Sequence, residues 1–165
     1  MSWSARDKMS QNHTVEFTVP TRPKPKQRAK KFFNQKTKTM HAWTPKETED
    51  YESLIRWHYR DKSNHLFTGA IHLHLDFRFE PPKSMSKKKR EQMIDQLESM
   101  TKKPDLDNLV KAIKDSLNGV AWTDDSLIVH TNSIKYYWEK DEVYIRISSL
   151  EGKVLNRESM GMSDF

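Results

Sequence analysis

The sequence predicts an α+β domain, a mainly antiparallel or mixed sheet with helices packed on it. Residues 71–80 alternate strictly, with Ile71, Leu73, Leu75, Phe77 and Phe79 on one face and His72, His74, Asp76, Arg78 and Glu80 on the other. That is the period of a strand with one face in a core. Residues 106–117 instead place Leu106, Leu109, Val110, Ile113 and Leu117 at helical spacing. A length of 165 residues suits one domain with a sizeable core. Its expected bounds are 14–150, between a disordered N-terminal tail (1–13) and a loose C-terminal tail (151–165).

Residues 14–19 alternate and read as the first strand, ended by Pro20. From Arg22 to Lys38 the chain carries basic residues and no acid, interleaved with Pro23, Pro25, Phe32 and Phe33. Such a loop suits a DNA backbone, with Lys24, Lys26, Arg28, Lys30 and Lys31 as candidate DNA-binding residues; a solvated charge run is the alternative. Thr44-Pro45-Lys46-Glu47 has the form of a capping box with proline at N1, predicting a helix to about Tyr59. Residues 62–69 read as a turn.

Pro81-Pro82 ends the strand at 71–80, and Ser84 or Ser86 can cap a helix over 87–97. Its start, Lys87-Lys88-Lys89-Arg90, opposes the helix dipole. Residues 127–138 predict a strand, 139–142 a turn, and 143–149 the antiparallel partner of that strand. His72, His74 and Asp76 share a face and have zinc-ligand chemistry. A half-buried strand must turn polar residues outward in any case, so no zinc site is assigned.

The chemistry concentrates at 102–129. Asp105 and Asp107 stand where the helix starts and either can cap it, Lys111 follows one turn inside, and Gly119 makes the turn out. The helix is about 18 Å long, and the seven residues 119–125 reach about 20 Å when extended. Asp124 and Asp125 can therefore return beside Asp105 and Asp107. Four carboxylates in one place require a counter-charge. Hard oxygen donors in a chain without cysteine suit Mg²⁺ or Mn²⁺. Lys111, on the helical face of Asp107, adds a positive group for a scissile phosphate, completing a constellation for phosphodiester hydrolysis. Lys102 and Lys103 can steer DNA toward it. The plainer alternative is two caps, a turn and a solvated lysine.

The run Asp105-Leu106-Asp107-Asn108, then Lys111, then a helix and Trp122-Thr123-Asp124-Asp125 resembles the signature of the RusA family of Holliday junction resolvases, in particular its bacterial and phage members. The resemblance extends more loosely from about Val15 to Ile147, taking in the basic Pro-rich entry and the Pro81-Pro82-Lys83-Ser84 segment. It implies a RusA-like fold, magnesium held by Asp105, Asp107 and Asp125 with Asp124 adjacent, a catalytic Lys111, and a homodimer whose paired sites cut branched DNA. The expected function is Mg²⁺-dependent resolution of four-way junctions. A broader branched or flap nuclease and a catalytically silent DNA-binding module stand as alternatives.

Charge agrees with a polyanionic partner, at net +6 and pI about 9.4. The lack of cysteine excludes a disulfide framework and thiolate metal ligation. No apolar run has the length of a membrane span, and the first 13 residues lack the apolar core of a signal peptide, so a cytoplasmic location without membrane association is expected. No Walker or Gly-rich dinucleotide motif occurs, so no nucleotide cofactor is expected.

Overall fold

The computed structural model describes residues 13–27 and 30–161. Arg28 lies outside these residues, as does all of the expected N-terminal tail except His13. In chain order the elements are β1 (Thr14–Val19), β2 (Lys30–Asn34), β3 (Thr39–Trp43), α1 (Lys46–Lys62), β4 (His65–Phe67), β5 (Ile71–Phe79), α2 (Lys87–Asp95), α3 (Leu106–Leu117), β6 (Ile128–Tyr137), β7 (Glu142–Ser149) and β8 (Val154–Asn156).

The strictest alternation in the sequence makes the centre of the main sheet. Ile71, Leu73, Leu75, Phe77 and Phe79 of β5 are all fully buried, each such side chain contributing about 1.5–3 kcal/mol. Strand order is β1-β7-β5-β6, with β5 antiparallel to β7 and parallel to β6. This corrects the expected β6–β7 hairpin, because β5 lies between the two strands. The short link between them wraps the end of β5, where Trp138 N–H donates to Phe79 O (2.9 Å) and Glu80 N–H to Asp141 Oδ1 (2.9 Å). A strand as apolar as β5 needs neighbours on both sides, whereas β6 exposes Val129, His130, Asn132 and Ile134 and takes the edge.

Helices α1 and α3 cover the apolar face of the sheet. Tyr51, Ile55 and Tyr59 of α1 and Leu109, Ala112, Ile113, Ser116 and Leu117 of α3 are buried against Val15, Phe17 and Val19 of β1 and the inward residues of β5 and β7. The capping box expected before α1 does not form. The N-cap is Pro45, whose carbonyl accepts from Thr48 N–H at 2.9 Å, and no side chain caps the helix. Glu47 and Glu49 instead complement the dipole in the first turn. Before α2, Ser86 does cap, accepting from Lys89 N–H, and ion pairs of Arg90 with Glu80 and Lys89 with Glu98 relieve its basic start.

Two stretches expected to be irregular are ordered. Residues 30–43, placed by sequence in and after a basic loop, form an antiparallel β2–β3 hairpin. The turn at 62–69 contains β4, which pairs with β8 from the region expected to be a loose tail. Neither short strand shows enough alternation to be told from a turn. Among the described residues no helix is long and apolar enough to cross a membrane.

Candidate active site

The entry to α3 is held from the sheet. Lys135 Nζ, on β6, donates to the carbonyls of Lys102 and Pro104, both at 2.7 Å. Asp105 occupies the N-cap position with extended backbone, yet its side chain makes no capping hydrogen bond. Among the described residues the side chains of Asp105, Asp107 and Lys111 form no hydrogen bond or ion pair. The helix therefore leaves two acids and a lysine uncommitted.

The chain returns from α3 by a tight turn rather than an extended run. Gly119 adopts φ +73°, a left-handed conformation that glycine takes without penalty. Its N–H donates to Trp122 O at 2.8 Å, and Val120 and Ala121 N–H both donate to Leu117 O. Buried Ala121 and Trp122 then thread beside β4, with Phe67 N–H on Ala121 O (2.8 Å) and Thr123 N–H on Phe67 O (3.2 Å).

This threading separates the two aspartates that follow. Asp124 is exposed and caps a short 3₁₀ turn over Asp125–Leu127, accepting from Ser126 N–H at 2.8 Å. The Ser126 hydroxyl and N–H hold its carboxyl below the usual carboxylate range. Asp125 is half-buried and oriented by Trp122, whose Nε1–H donates to Oδ1 at 2.8 Å.

Asp107, Lys111 and Asp125 line one open cavity of about 630 Å³, walled by Leu106 and Val110 of α3 and by Thr131 and Ser133 of β6. Asp105 faces a neighbouring hollow with Lys24, Lys26, Lys103 and Asn108. The four acids thus do not converge as one cluster. Two share the cavity, one lies beside it, and Asp124 is spent on a cap. No group of three or more His, Cys, Asp or Glu residues is arranged around one point among the described residues.

The basic candidates divide as well. Lys26 is part-buried and bridges Glu52 of α1 (2.5 Å) and Asp115 of α3 (3.1 Å), while its N–H donates to Asn108 O. Lys24 pairs with Glu47 (2.8 Å), and Arg22 with Asp141 (3.0 Å). The first half of the acid-free run is therefore neutralised by acids distant in sequence, which local reading could not reveal. Lys31, Lys102 and Lys103 are exposed. Of Lys30 only the backbone, in β2, is described. Sequence reasoning also missed Lys135 and the Trp122 contact. The three-residue spacing of Trp122 and Asp125 was the only available signal for the second, and nothing local signalled the first.

Comparison with known proteins bears on the same span. A family profile described as Endodeoxyribonuclease RusA matches residues 20–148. The chain is also 32% identical over 136 residues to the Bacillus subtilis (strain 168) protein named "Uncharacterized protein YqaN", in an alignment covering 81% of this chain and 94% of that one. A match that runs through the acidic helix and the sheet beneath it alike shows that the chain belongs to the RusA endodeoxyribonuclease family.

Proposed function

We propose that the protein is a Mg²⁺-dependent endodeoxyribonuclease that resolves four-way DNA junctions, with Asp107, Asp125 and Lys111 at its reacting centre. The observation that carries this reading is the shared cavity, where Asp107, Asp125 and the uncommitted Lys111 line one space, with Lys114 and with Asp115, which is itself paired with Lys26. The donors fit the ion. Carboxylate oxygens are hard ligands, and Mg²⁺ keeps several waters while taking one or two carboxylates plus substrate phosphates. Of the three aspartates lining the open cavity, Asp107 and Asp125 form no ion pair among the described residues and meet that need, and Mn²⁺ can substitute.

Asp107 and Asp125 would hold the ion, and Asp105, at the head of the same helix, would add a ligand from the adjoining hollow once DNA binds. Asp124 supports Asp125 by fixing the turn that carries it. Bound there, a divalent cation supplies Lewis-acid stabilisation of phosphate charge and lowers the pKa of water. Trp122 keeps the Asp125 carboxylate facing the cavity. Lys111 offsets negative charge developing on the leaving oxygen. Lys102 and Lys103 contact the DNA backbone at the mouth of the site, and Lys24 and Lys26 contribute less because intramolecular pairs hold them. A homodimer related by a two-fold axis would set two such sites on a branched substrate.

The test is cleavage of a labelled synthetic four-way junction with Mg²⁺ or EDTA, comparing wild type with Asp107→Asn. Paired nicks are expected only from wild type with Mg²⁺, while Asp107→Asn binds the junction at least as tightly because a repulsive charge is gone. Cleavage by the variant at the wild-type rate would remove Asp107 from the site.

A further inference from the structure

We propose that the outward face of the β2–β3 hairpin, built on the Phe33–Met40 pair, takes unstacked DNA bases at the branch point of the substrate. This rests on the branched-DNA nuclease reading above and adds a second recognition surface to it.

Phe33 and Met40 are directly opposite in the hairpin register, and Lys31 and Ala42 form the next pair on the same face. All four residues are exposed, Phe33 at 55% and Met40 at 63%. A two-stranded ribbon with an uncovered aromatic and thioether side by side is marginal unless something covers it.

Charge identifies the cover. No acid occurs between Pro20 and Glu47. Arg22, Lys24 and Lys26 find acids elsewhere in the fold, but Lys31, Lys36 and Lys38 form no ion pair among the described residues. An apolar pair set among unneutralised lysines suits nucleic acid, which offers a flat π face beside a phosphate. Base–aromatic stacking on a positive groove is the usual arrangement for single-stranded segments.

The chemistry of the pair also selects the form of DNA. Phe33 and Met40 cannot hydrogen-bond base edges, which are all that a continuous duplex presents in its grooves. They gain most where base faces are already open, as at a branch or an unpaired end, because no unstacking cost is then paid. Placement agrees. Lys26 is anchored by its N–H to Asn108 O on α3 at 3.0 Å. The seven residues on to Phe33 reach about 23 Å at most, roughly seven base-pair steps from the acidic site.

The experiment uses the full-length chain in EDTA, a four-way junction carrying 2-aminopurine at the branch, and a linear duplex of equal length. The double variant Phe33→Ala/Met40→Ala is expected to bind the junction about tenfold more weakly, with duplex affinity held within about twofold. The wild-type change in 2-aminopurine fluorescence should be lost, Phe33→Trp should restore it, and the melting temperature should stay unchanged because the pair is exposed. Equal junction binding by wild type and double variant, or an equal loss on both DNAs, would overturn the proposal. So would a change in oligomeric state, which would make this face a contact between copies of the chain. A parallel wild-type reaction with Mg²⁺ separates the two readings: if wild type cuts the junction there while the double variant binds it normally in EDTA, only the hairpin assignment fails. If wild type neither binds nor cuts branched DNA, the nuclease reading falls and takes this proposal with it.

Discussion

Trp122 is wholly buried, yet it presents its indole N–H to the Asp125 carboxylate at 2.8 Å. Orienting groups of this kind set the geometry of a ligand they do not replace. Trp122→Phe keeps an aromatic ring in the core and deletes the donor. Cleavage should fall about 10–100-fold and the Mg²⁺ needed for half-maximal activity should rise. A purely structural role would lower the melting temperature and leave the metal dependence unchanged. A second residue speaks to pH. His72 stacks on His130 with ring centroids 4.3 Å apart, and its buried Nε2 has no hydrogen-bond partner among the described residues. Burial, then His130, His74 and Arg146, push its pKa down, and burial with His65 does the same to His13. The fold thus favours neutral imidazoles, while the unfolded chain takes up protons near pH 6.5. Their contribution to stability is complete above about pH 6.5 and is lost as pH falls through the lowered folded values. The melting temperature should be lower at pH 5 than at pH 7.5, by a gap that His72→Gln narrows. An unchanged gap in that variant would remove His72 as its cause.

At the scale of elements, the helix and the central strand were legible because their periods are strong: α3 runs over Leu106–Leu117 and β5 over Ile71–Phe79, within a residue of the pattern. The cap of α1 was misread because Thr44-Pro45-Lys46-Glu47 has the letters of a capping box, while the helix begins one residue later, from Pro45 as its N-cap. The pairing within the acid-free run was not legible for a different reason. Whether a lysine is solvated or paired depends on which acids the fold brings near, and that is long-range information. Lys26 and Lys24 turn the difference into a prediction. Lys26→Ala leaves part-buried Glu52 and Asp115 without their shared cation and should cost about 1–3 kcal/mol. Lys24→Ala breaks an exposed pair and should cost under about 1 kcal/mol. Urea denaturation of the two variants measures both. Equal midpoints would mean that Lys26 does not tie the entry segment to α1 and α3.

For the whole molecule, the α+β class followed from two periods, but the strand order did not. The order depends on β5 outcompeting β6 for a central place, and the short link at 138–141 invited a hairpin that the fold does not make. The end of the chain was the least legible part, because Val154–Asn156 becomes a strand only by pairing with β4. That pairing reaches the site. Beyond β8, Arg157 Nη2 donates to the carbonyls of Gly119 (2.9 Å) and Val120 (2.7 Å), in the turn that returns the chain from α3 toward Asp125. The same turn is held from the other side by β4, through Phe67 and Ala121. Arg157→Ala therefore removes one of two clamps on the connection between the acids of the cavity. Its expected effect is a several-fold loss of junction cleavage with junction binding unchanged, since none of the lysines proposed to contact DNA is altered. Ending the chain after Leu150 removes β8 and Arg157 together and should also lower the melting temperature, because β4 loses its partner. Full cleavage by the truncated chain would show that residues 151–165 are dispensable to the site, and that β4 alone holds the turn.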